Sequence, residues 1–409
     1  MTTVVAAPAQ GGVAERPVSA GMTMLLAAGC GLAAANLYYA QPLISLIAPD
    51  VGLSETAASL IVTFTQAGYC AGLVLLAPLG DLVENRALVF WTLCAAAGAL
   101  LAAAFAPSAA AFLAAALLIG LASVAAQMLV PIAAHLAPDA SRGRTIGNVM
   151  SGLLLGIMLA RPVSSLIAAA FGWRAVFEAS ALAIAALAMT LRNLLPERRP
   201  KANHSYLALI GSLWALLRDT PVLRRRAAYQ AALFAAFILY WTAVPLELAS
   251  PTFGLGQRGI ALFALAGAGG ALSAPIAGRL ADRGWSRATT VISMVIVALG
   301  FLLARIGGEG SMIALLAGGV LLDAGVQGNQ VVSQRAIYAL GVEARSLLNG
   351  LYIAIFFVGG AAGSAIASLA FASGGWARVS WIGLAFPLIA LAAYATEFVG
   401  PWRLSLGRH

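Results

Sequence analysis

Charged side chains are scarce in this 409-residue chain: they make up 10% of it, whereas apolar side chains make up 61%. Ordinary soluble domains carry about 25% charged residues, so the composition excludes a water-soluble globular protein. A membrane span needs about 20 largely apolar residues. Twelve such spans with short loops account for the length, which leaves no room for a large soluble catalytic domain.

Cysteine, histidine and lysine are also rare. Cys30, Cys70 and Cys94 lie inside apolar stretches, and their wide spacing does not suggest a disulfide framework or a metal site. The three histidines are too scattered for a zinc-protease pattern, and no Gly-x-Ser-x-Gly elbow occurs. The single lysine, Lys201, lies outside any Gly-Lys-Ser/Thr pattern, which excludes Walker-type ATP binding. We therefore expect no enzyme activity, no cofactor and no metal site.

Twelve apolar segments alternate with short turns that are polar or marked by glycine and proline. We number them spans 1 to 12, at residues 20–48, 56–79, 87–106, 109–137, 145–171, 173–195, 227–250, 257–280, 288–306, 311–340, 346–372 and 376–398. They predict an all-α membrane protein with an N-terminal six-helix bundle (20–195) and a C-terminal one (226–398). Residues 196–225 are expected to form a cytoplasmic linker with a short surface helix around Leu207 to Leu217. Residues 1–19 are expected to be a disordered cytoplasmic tail, and residues 399–409 a second cytoplasmic tail.

The basic residues indicate the orientation of the chain in the membrane. With the N-terminus inside, nineteen of the 24 lie on the cytoplasmic side, four lie outside, and Arg161 alone falls within a span. The outer four are Arg174, Arg258, Arg305 and Arg378. Because cytoplasmic loops retain basic residues, both termini and Lys201 are predicted to be cytoplasmic, and Gly254 external. Topology thus explains the net charge of +9, and we expect no binding to nucleic acid.

The two halves of the chain repeat each other at a constant offset of 203 residues. The matched positions are Pro42-Leu43 with Pro245-Leu246, Gln127 with Gln330, Arg142 with Arg345, Gly147 with Gly350, Gly156 with Gly359, and Gly172-Trp173 with Gly375-Trp376. Two bundles related in this way are typical of parallel-repeat transporters, whose substrate cavity lies between the bundles near the midplane.

A loop motif makes the resemblance specific. After span 8 the chain reads Gly278-Arg279-Leu280-Ala281-Asp282-Arg283, with Arg287 closing the pattern; after span 2 only Asp81 and Arg86 keep the same spacing. The chain resembles the major facilitator superfamily over nearly its whole length, and within it the twelve-helix drug:proton antiporter and sugar-efflux branch. The run Asn36-Leu37-Tyr38-Tyr39-Ala40-Gln41-Pro42 and Gly172-Trp173-Arg174 also resemble this branch. Two positions depart from it: span 4 lacks an arginine before Gln127, and span 5 has Arg161-Pro162 where Gly-Pro is frequent.

The loop motif also has a direct physical interpretation. The unpaired amide groups at the start of the next helix favour a nearby carboxylate, and an arginine fork binds a carboxylate in two places. We therefore expect Asp81 and Asp282 to form a latch between the bundles, a gating motif with Arg86, Gly278, Arg283 and Arg287. The alternative is that these charges serve only topology.

Polar residues inside the spans are costly in lipid, which makes them candidates for function. The resemblance implies that spans 1, 4, 7 and 10 line the central cavity and assigns their polar groups to substrate contact. These groups are Asn36, Tyr38, Tyr39, Gln41, Gln127, Tyr240, Trp241, Gln327, Asn329 and Gln330. Such aromatic and amide groups suit an amphipathic or polyhydroxy organic molecule. The alternative is that they form hydrogen bonds between helices and bind no ligand.

Elimination over the fifteen acidic residues leaves two candidates for a proton carrier, because the others lie in loops, tails or near helix ends. Glu178 lies one turn from Arg174, so we expect a shallow ion pair between them. Asp323 lies about 18 Å into span 10, near the middle of a membrane core about 30 Å thick, where burial favours the neutral carboxyl group. We predict that Asp323 binds the proton and that Arg161 modulates it or pairs with substrate or Glu178. The alternative for Asp323 is a buried hydrogen-bonding strut.

The expected function is a secondary transporter in the bacterial cytoplasmic membrane that exports a small drug-like or sugar-like compound in exchange for protons. The resemblance implies alternating access, and we expect a monomer whose partners are the substrate, protons and the lipid bilayer. One alternative is a proton-coupled or facilitative importer of an organic anion, with Arg161 as the anion's partner. Another is a receptor or scaffold that kept the fold without transporting.

Overall fold

The computed structural model describes residues 19–138, 141–200, 205–267, 269–270, 273–340 and 345–397, and it is helical throughout, with no strand in these ranges. Of the predicted tails, only Ser19 falls within them; the predicted C-terminal tail, residues 399–409, and Lys201 lie outside the described residues. Ser19 caps the first helix by accepting a hydrogen bond from the backbone N–H of Met22.

Eight helices form spans 1 to 6. They are α1 (Ala20–Ala35), α2 (Ile44–Val51), α3 (Leu60–Leu75), α4 (Asn85–Ala104), α5 (Ala109–Ala122), α6 (Ala125–Leu136), α7 (Arg142–Phe171) and α8 (Trp173–Leu194). The linker contains the expected short helix, α9 (Tyr206–Asp219). Spans 7 to 12 are α10 (Pro221–Ala249), α11 (Gln257–Gly267), α12 (Ser273–Asp282), α13 (Ser286–Gly307), α14 (Met312–Tyr338) and α15 (Arg345–Ala395).

The prediction of an all-α membrane protein with twelve spans is confirmed. Within the described ranges, nine helical stretches are long and apolar enough to cross a membrane. One of them, α15, contains spans 11 and 12, which are separated by two residues outside helical geometry, Gly374 and Gly375. The pairs α1 with α2 and α11 with α12 supply spans 1 and 8.

Three spans that the sequence predicts as continuous helices are interrupted near their middles. Span 1 unwinds between Ala35 and Ile44, span 4 turns at Ser123–Val124, and span 8 has a 3₁₀ turn at residues 269–270. In span 1, Pro42 lacks the N–H that a continuous helix would need. In span 4 the Ser123 hydroxyl bonds back to the carbonyl of Ile119 (2.7 Å), a contact that competes with regular helix geometry.

Glycines set the close packing within each bundle, and the two bundles use them at equivalent positions. A Cβ on Gly156 of α7 would lie 2.4 Å from Cα of Gly31 in α1. A Cβ on Gly359 of α15, its repeat partner, would lie 2.1 Å from the carbonyl oxygen of Ala231 in α10. Each helix pair therefore requires glycine to reach this separation, which gives the sequence repeat a structural counterpart.

The bundles meet along two helix pairs. Helix α3 packs against the first half of α15, where the hydroxyls of Thr63 and Ser364 lie 3.0 Å apart. Helix α7 packs against α11, whereas α12 packs against α14 and α13 of its own bundle. At the end that carries the linker, hereafter the linker end, Leu213 of α9 lines a cavity of about 50 Å³ between α3 and α15. The linker helix therefore contacts both bundles.

Candidate functional site

Arg161 lies in the second half of α7 and is 6% exposed. Its Nε donates a 2.7 Å hydrogen bond to Oε1 of Gln41. Gln41 begins the short 3₁₀ turn inside span 1, so the interruption of that span presents an amide group to the guanidinium. A buried arginine is expensive without such partners, and the break in span 1 supplies one.

Three aromatic rings surround the guanidinium of Arg161. Its Cζ lies 5.0 Å from the ring centre of Tyr38, 5.3 Å from that of Phe237 and 4.6 Å from that of Trp241. Each contact of this kind contributes about 0.5–2 kcal/mol. Tyr38 and Trp241 are 203 residues apart, so the two bundles contribute repeat-equivalent aromatic residues to the same cation.

Trp241 connects this cation to the buried carboxylate that the sequence singles out. Its indole Nε1 donates a 2.8 Å hydrogen bond to Oδ1 of Asp323, which lies on α14 and is 8% exposed. Among the described residues Arg161 makes no ion pair within 4 Å, and its charge acts on Asp323 through space. The site thus places one fixed positive charge and one carboxylate on opposite bundles, with an indole between them.

Two hydrogen-bond donors in this site lack a partner among the described residues: Nη2 of Arg161 and Nε2 of Gln41. The hydroxyl of Thr242, next to Trp241, lacks one as well. Buried donors without partners cost about 1–3 kcal/mol each. The arrangement therefore suits a ligand that brings acceptor oxygens.

The other predicted substrate residues are not gathered around Arg161, and most bond to neighbouring helices. Oδ1 of Asn36 accepts from Ser180, Gln127 donates to the hydroxyl of Tyr69, Tyr240 donates to the carbonyl of Leu315, and Asn329 donates to Gln230. Tyr39 is buried, and Gln327 and Gln330 are half-buried on α14. Of the ten predicted residues, Tyr38, Gln41 and Trp241 are thus the ones that contact Arg161 directly.

The expected ion pair between Glu178 and Arg174 is wrong. Nη1 of Arg174 lies 2.6 Å from Oδ2 of Asp50, at the end of α2, and Trp173 Nε1 donates to the same oxygen at 2.9 Å. The Trp173 and Arg174 hydrogen bonds lower the pKa of the Asp50 carboxyl. The sequence could not show this contact, because Asp50 is more than 120 residues from its partners. Glu178 itself is half-buried.

The search for a proton carrier among the acidic residues of the sequence also set aside Glu247. It lies near the end of α10, as expected, but is only 5% exposed. Its burial makes it a second carboxyl group shielded from water in the C-terminal bundle, and a matched control for Asp323.

The gating motif pairs differently from the expected latch. Arg335 of α14, in the same bundle, donates to the carboxylate of Asp282, so neither Arg283 nor Arg287 of the motif provides this contact. Arg86 lies 3.5 Å from Glu197, and Asp81 lines the small cavity that Leu213 enters. Gly278 lies within α12. In this structure the Asp282 contact therefore lies within the C-terminal bundle, and the motif does not join the two bundles through it.

Sequence reasoning missed two contributors to the site. Phe237 is one of many apolar residues in span 7, and nothing in the sequence distinguishes it. Gly270 packs on Asp323, within a glycine-rich stretch of span 8 that carries no polar signal. Among the described residues, no group of three or more His, Cys, Asp or Glu side chains could hold a metal ion.

Comparisons with known proteins agree on one family. The sequence model of the Major Facilitator Superfamily matches residues 26–283. The chain is 41% identical to the uncharacterized transporter YgaY of Escherichia coli O157:H7, over 93% of this chain and 96% of that protein. It is 34% identical to SCO4007 of Streptomyces coelicolor, named as a probable transporter, over 91% and 86%. A solved bacterial homologue of the human lysosomal transporter Spinster, inward-facing and occupied, has the same fold, with a TM-score of 0.72, 13% identity, and coverage of 94% and 97%.

Proposed function

The chain belongs to the major facilitator superfamily and is a transporter of that type, and we propose that it couples the export of a small organic compound to proton entry through Asp323. The observation that carries this proposal is the chain of contacts from Gln41 through Arg161 and Trp241 to Asp323. It joins a fixed charge on one bundle to a titratable carboxyl group on the other.

Coupling follows from competition between proton and substrate at this site. With Asp323 ionised, its negative charge offsets that of Arg161 across the indole, and the unpartnered donors of Arg161 and Gln41 can bind acceptor oxygens of an uncharged substrate. Protonation of Asp323 removes one of the two opposite charges and alters the hydrogen bond from Trp241. Proton binding at Asp323 can favour one access state over the other only to the extent that the two states differ in their affinity for the proton.

A second function is favoured by the unpartnered Nη2 of Arg161. If the substrate is an organic anion, protonating Asp323 leaves Arg161 as an uncompensated buried charge, and the anion then restores neutrality. Proton and anion would bind together and travel in the same direction, which is import under an inward proton gradient. The two functions use the same residues and differ in the sign of the coupling between proton and substrate.

The charge distribution supports an orientation with both termini in the cytoplasm, in a bacterial cytoplasmic membrane. In that orientation the linker end faces the cytoplasm. We also propose that the protein works as a monomer, because the contact chain at its centre is complete within one copy.

The test begins with a growth screen of expressing and non-expressing cells against a panel of toxic compounds, sugars and organic acids. The compound found is then used with purified protein in vesicles under an imposed pH gradient. Accumulation of the compound driven by protons that move in the opposite direction supports export. Accumulation of the compound driven by protons that move in the same direction supports the anion importer. Transport that does not depend on the pH gradient contradicts both functions.

A further inference from the structure

Two glycines of span 8 lie directly against the two members of the Trp241–Asp323 hydrogen bond: Gly267, at the end of α11, and Gly270, in the 3₁₀ turn that follows. A Cβ on Gly267 would lie 2.5 Å from Cη2 of Trp241. A Cβ on Gly270 would lie 2.3 Å from Cβ of Asp323 and 2.6 Å from the carbonyl oxygen of Val320. Carbon atoms in contact are about 3.5–4.0 Å apart, so only glycine fits at either position.

The contact is specific to these two glycines. Gly269, between them, faces open space, with no atom within 4 Å of a Cβ placed there. A glycine-rich stretch needed only for backbone flexibility would not require such contacts. The pattern instead indicates that the backbone of span 8 has to approach Trp241 and Asp323 closely.

Span 8 also contacts elements on both sides of the site. Its first half, α11, packs against α7, the helix of the N-terminal bundle that carries Arg161. At the start of α12, the hydroxyl of Ser273 donates to the carbonyl of Ala324, the neighbour of Asp323 (3.0 Å). Its second half ends at Asp282, which pairs with Arg335.

We propose that Gly267 and Gly270 are positioning residues of the proton site, which hold Trp241 and Asp323 in hydrogen-bonding distance through direct backbone contact. The position of span 8 then determines how well the indole N–H reaches the carboxylate. This inference rests on the proposed role of Asp323 as the proton carrier. It adds span 8 as the element that transmits the protonation state of Asp323 to the interface between the bundles.

The physical reason is that a hydrogen bond to a carboxylate favours its ionised form. When span 8 moves relative to α10 and α14, that bond weakens and Asp323 holds its proton more tightly. The charged and titratable groups that face Asp323 among the described residues are Arg161 from α7, Tyr38 from the interruption in span 1, and Tyr240 from α10. Of these, Arg161 stays charged throughout and the tyrosines stay neutral at ordinary pH, so Asp323 is the group that titrates.

The experiment follows the fluorescence of Trp241 in the purified full-length protein as the pH is varied. The signal is the difference between each protein and the same protein carrying Trp241→Phe, which removes the contribution of the other seven tryptophans. We expect the wild-type signal to titrate with one midpoint and Asp323→Asn to lose the titration. Gly270→Ala should move the midpoint to higher pH by about one unit or more, a tenfold change in proton affinity.

Gly269→Ala is the matched control, because it adds the same methyl group two residues beyond α11 without touching either partner, and its midpoint should equal that of the wild type. Equal midpoints for Gly270→Ala and Gly269→Ala overturn the inference. If Gly270→Ala fails to fold, Gly267→Ala takes its place, because its methyl group displaces the ring of Trp241. Its midpoint is then compared with that of Gly269→Ala, and equal midpoints overturn the inference. A titration that persists in Asp323→Asn contradicts the proposed proton carrier itself, and is thereby distinguished from failure of the glycine contacts alone.

Discussion

The indole of Trp241 donates to Asp323 over 2.8 Å while its ring lies 4.6 Å from the guanidinium of Arg161. One side chain therefore contacts both buried charges, which belong to different bundles. Trp241 and Asp323 belong to the same bundle, so movement of the bundles changes the contact of the indole with Arg161, and it changes the hydrogen bond to Asp323 only if the indole turns. This arrangement is the basis of the following predictions.

Trp241→Phe should separate the two contacts. The phenyl ring preserves most of the interaction with Arg161, but the hydrogen bond to Asp323 is lost. Because that bond favours the carboxylate, we expect the pH profile of transport to move to higher pH, with the maximum rate reduced less than tenfold. Tryptophan-to-phenylalanine replacement at Trp91, which is exposed on α4, is the control. Identical profiles for the two variants would show that the indole N–H has no part in coupling.

Arg161→Lys should weaken substrate binding by about tenfold or more while the protein still folds. Lysine keeps the charge but lacks the planar fork that bonds to Gln41 and stacks on three rings. Substrate affinity measured with purified protein tests this. Arg174→Lys, at the exposed pair with Asp50, should change affinity little, since surface ion pairs contribute about 0–1 kcal/mol. If both variants bind substrate normally, Arg161 does not contact it.

Asp282→Asn should slow transport without preventing membrane insertion, and Asp81→Asn should do so more weakly. The structure gives a different reason for the first effect. Asp282 is paired with Arg335, so replacing either residue should remove the same interaction. In a double-mutant cycle, Arg335→Gln added to Asp282→Asn is expected to slow transport little further. Fully additive effects would mean that the two residues act separately, and normal rates in both aspartate variants would leave these charges a topological role only.

Orientation is tested by labelling single cysteines on intact cells with a membrane-impermeant thiol reagent, after replacing the three native cysteines. Thr252, exposed in the loop between α10 and α11, is a better site than Gly254, whose φ of +61° favours glycine. We expect labelling at Thr252→Cys and none at Arg199→Cys in the linker. The opposite pattern would reverse the topology.

The spans were predictable because apolar length is a local property of the sequence, and the depth of Asp323 followed from counting residues along one of them. The interruptions of spans 1 and 4 and the 3₁₀ turn in span 8 were not predicted, since Ser123 and Gly270 look like ordinary residues of apolar segments. They matter because the interruption in span 1 places Gln41 on Arg161.

The sequence predicted that Arg161 modulates Asp323 but not which residue connects the two. More than 160 residues separate them, and the residue that joins them, Trp241, was predicted as a substrate contact. Partners at such distances depend on how the helices pack. The same limitation explains the error at Arg174, where a neighbour one turn away was chosen over Asp50 from another helix.

The central claim, that Asp323 carries the proton, is tested most directly by comparing two transport modes in vesicles for Asp323→Asn and Glu247→Gln. The second variant neutralises the other buried carboxyl group of the same bundle. We predict that Asp323→Asn keeps substrate exchange across the membrane but loses accumulation driven by a pH gradient, and that Glu247→Gln keeps both. Gradient-driven accumulation that persists in Asp323→Asn would contradict the account, most clearly if Glu247→Gln had lost it.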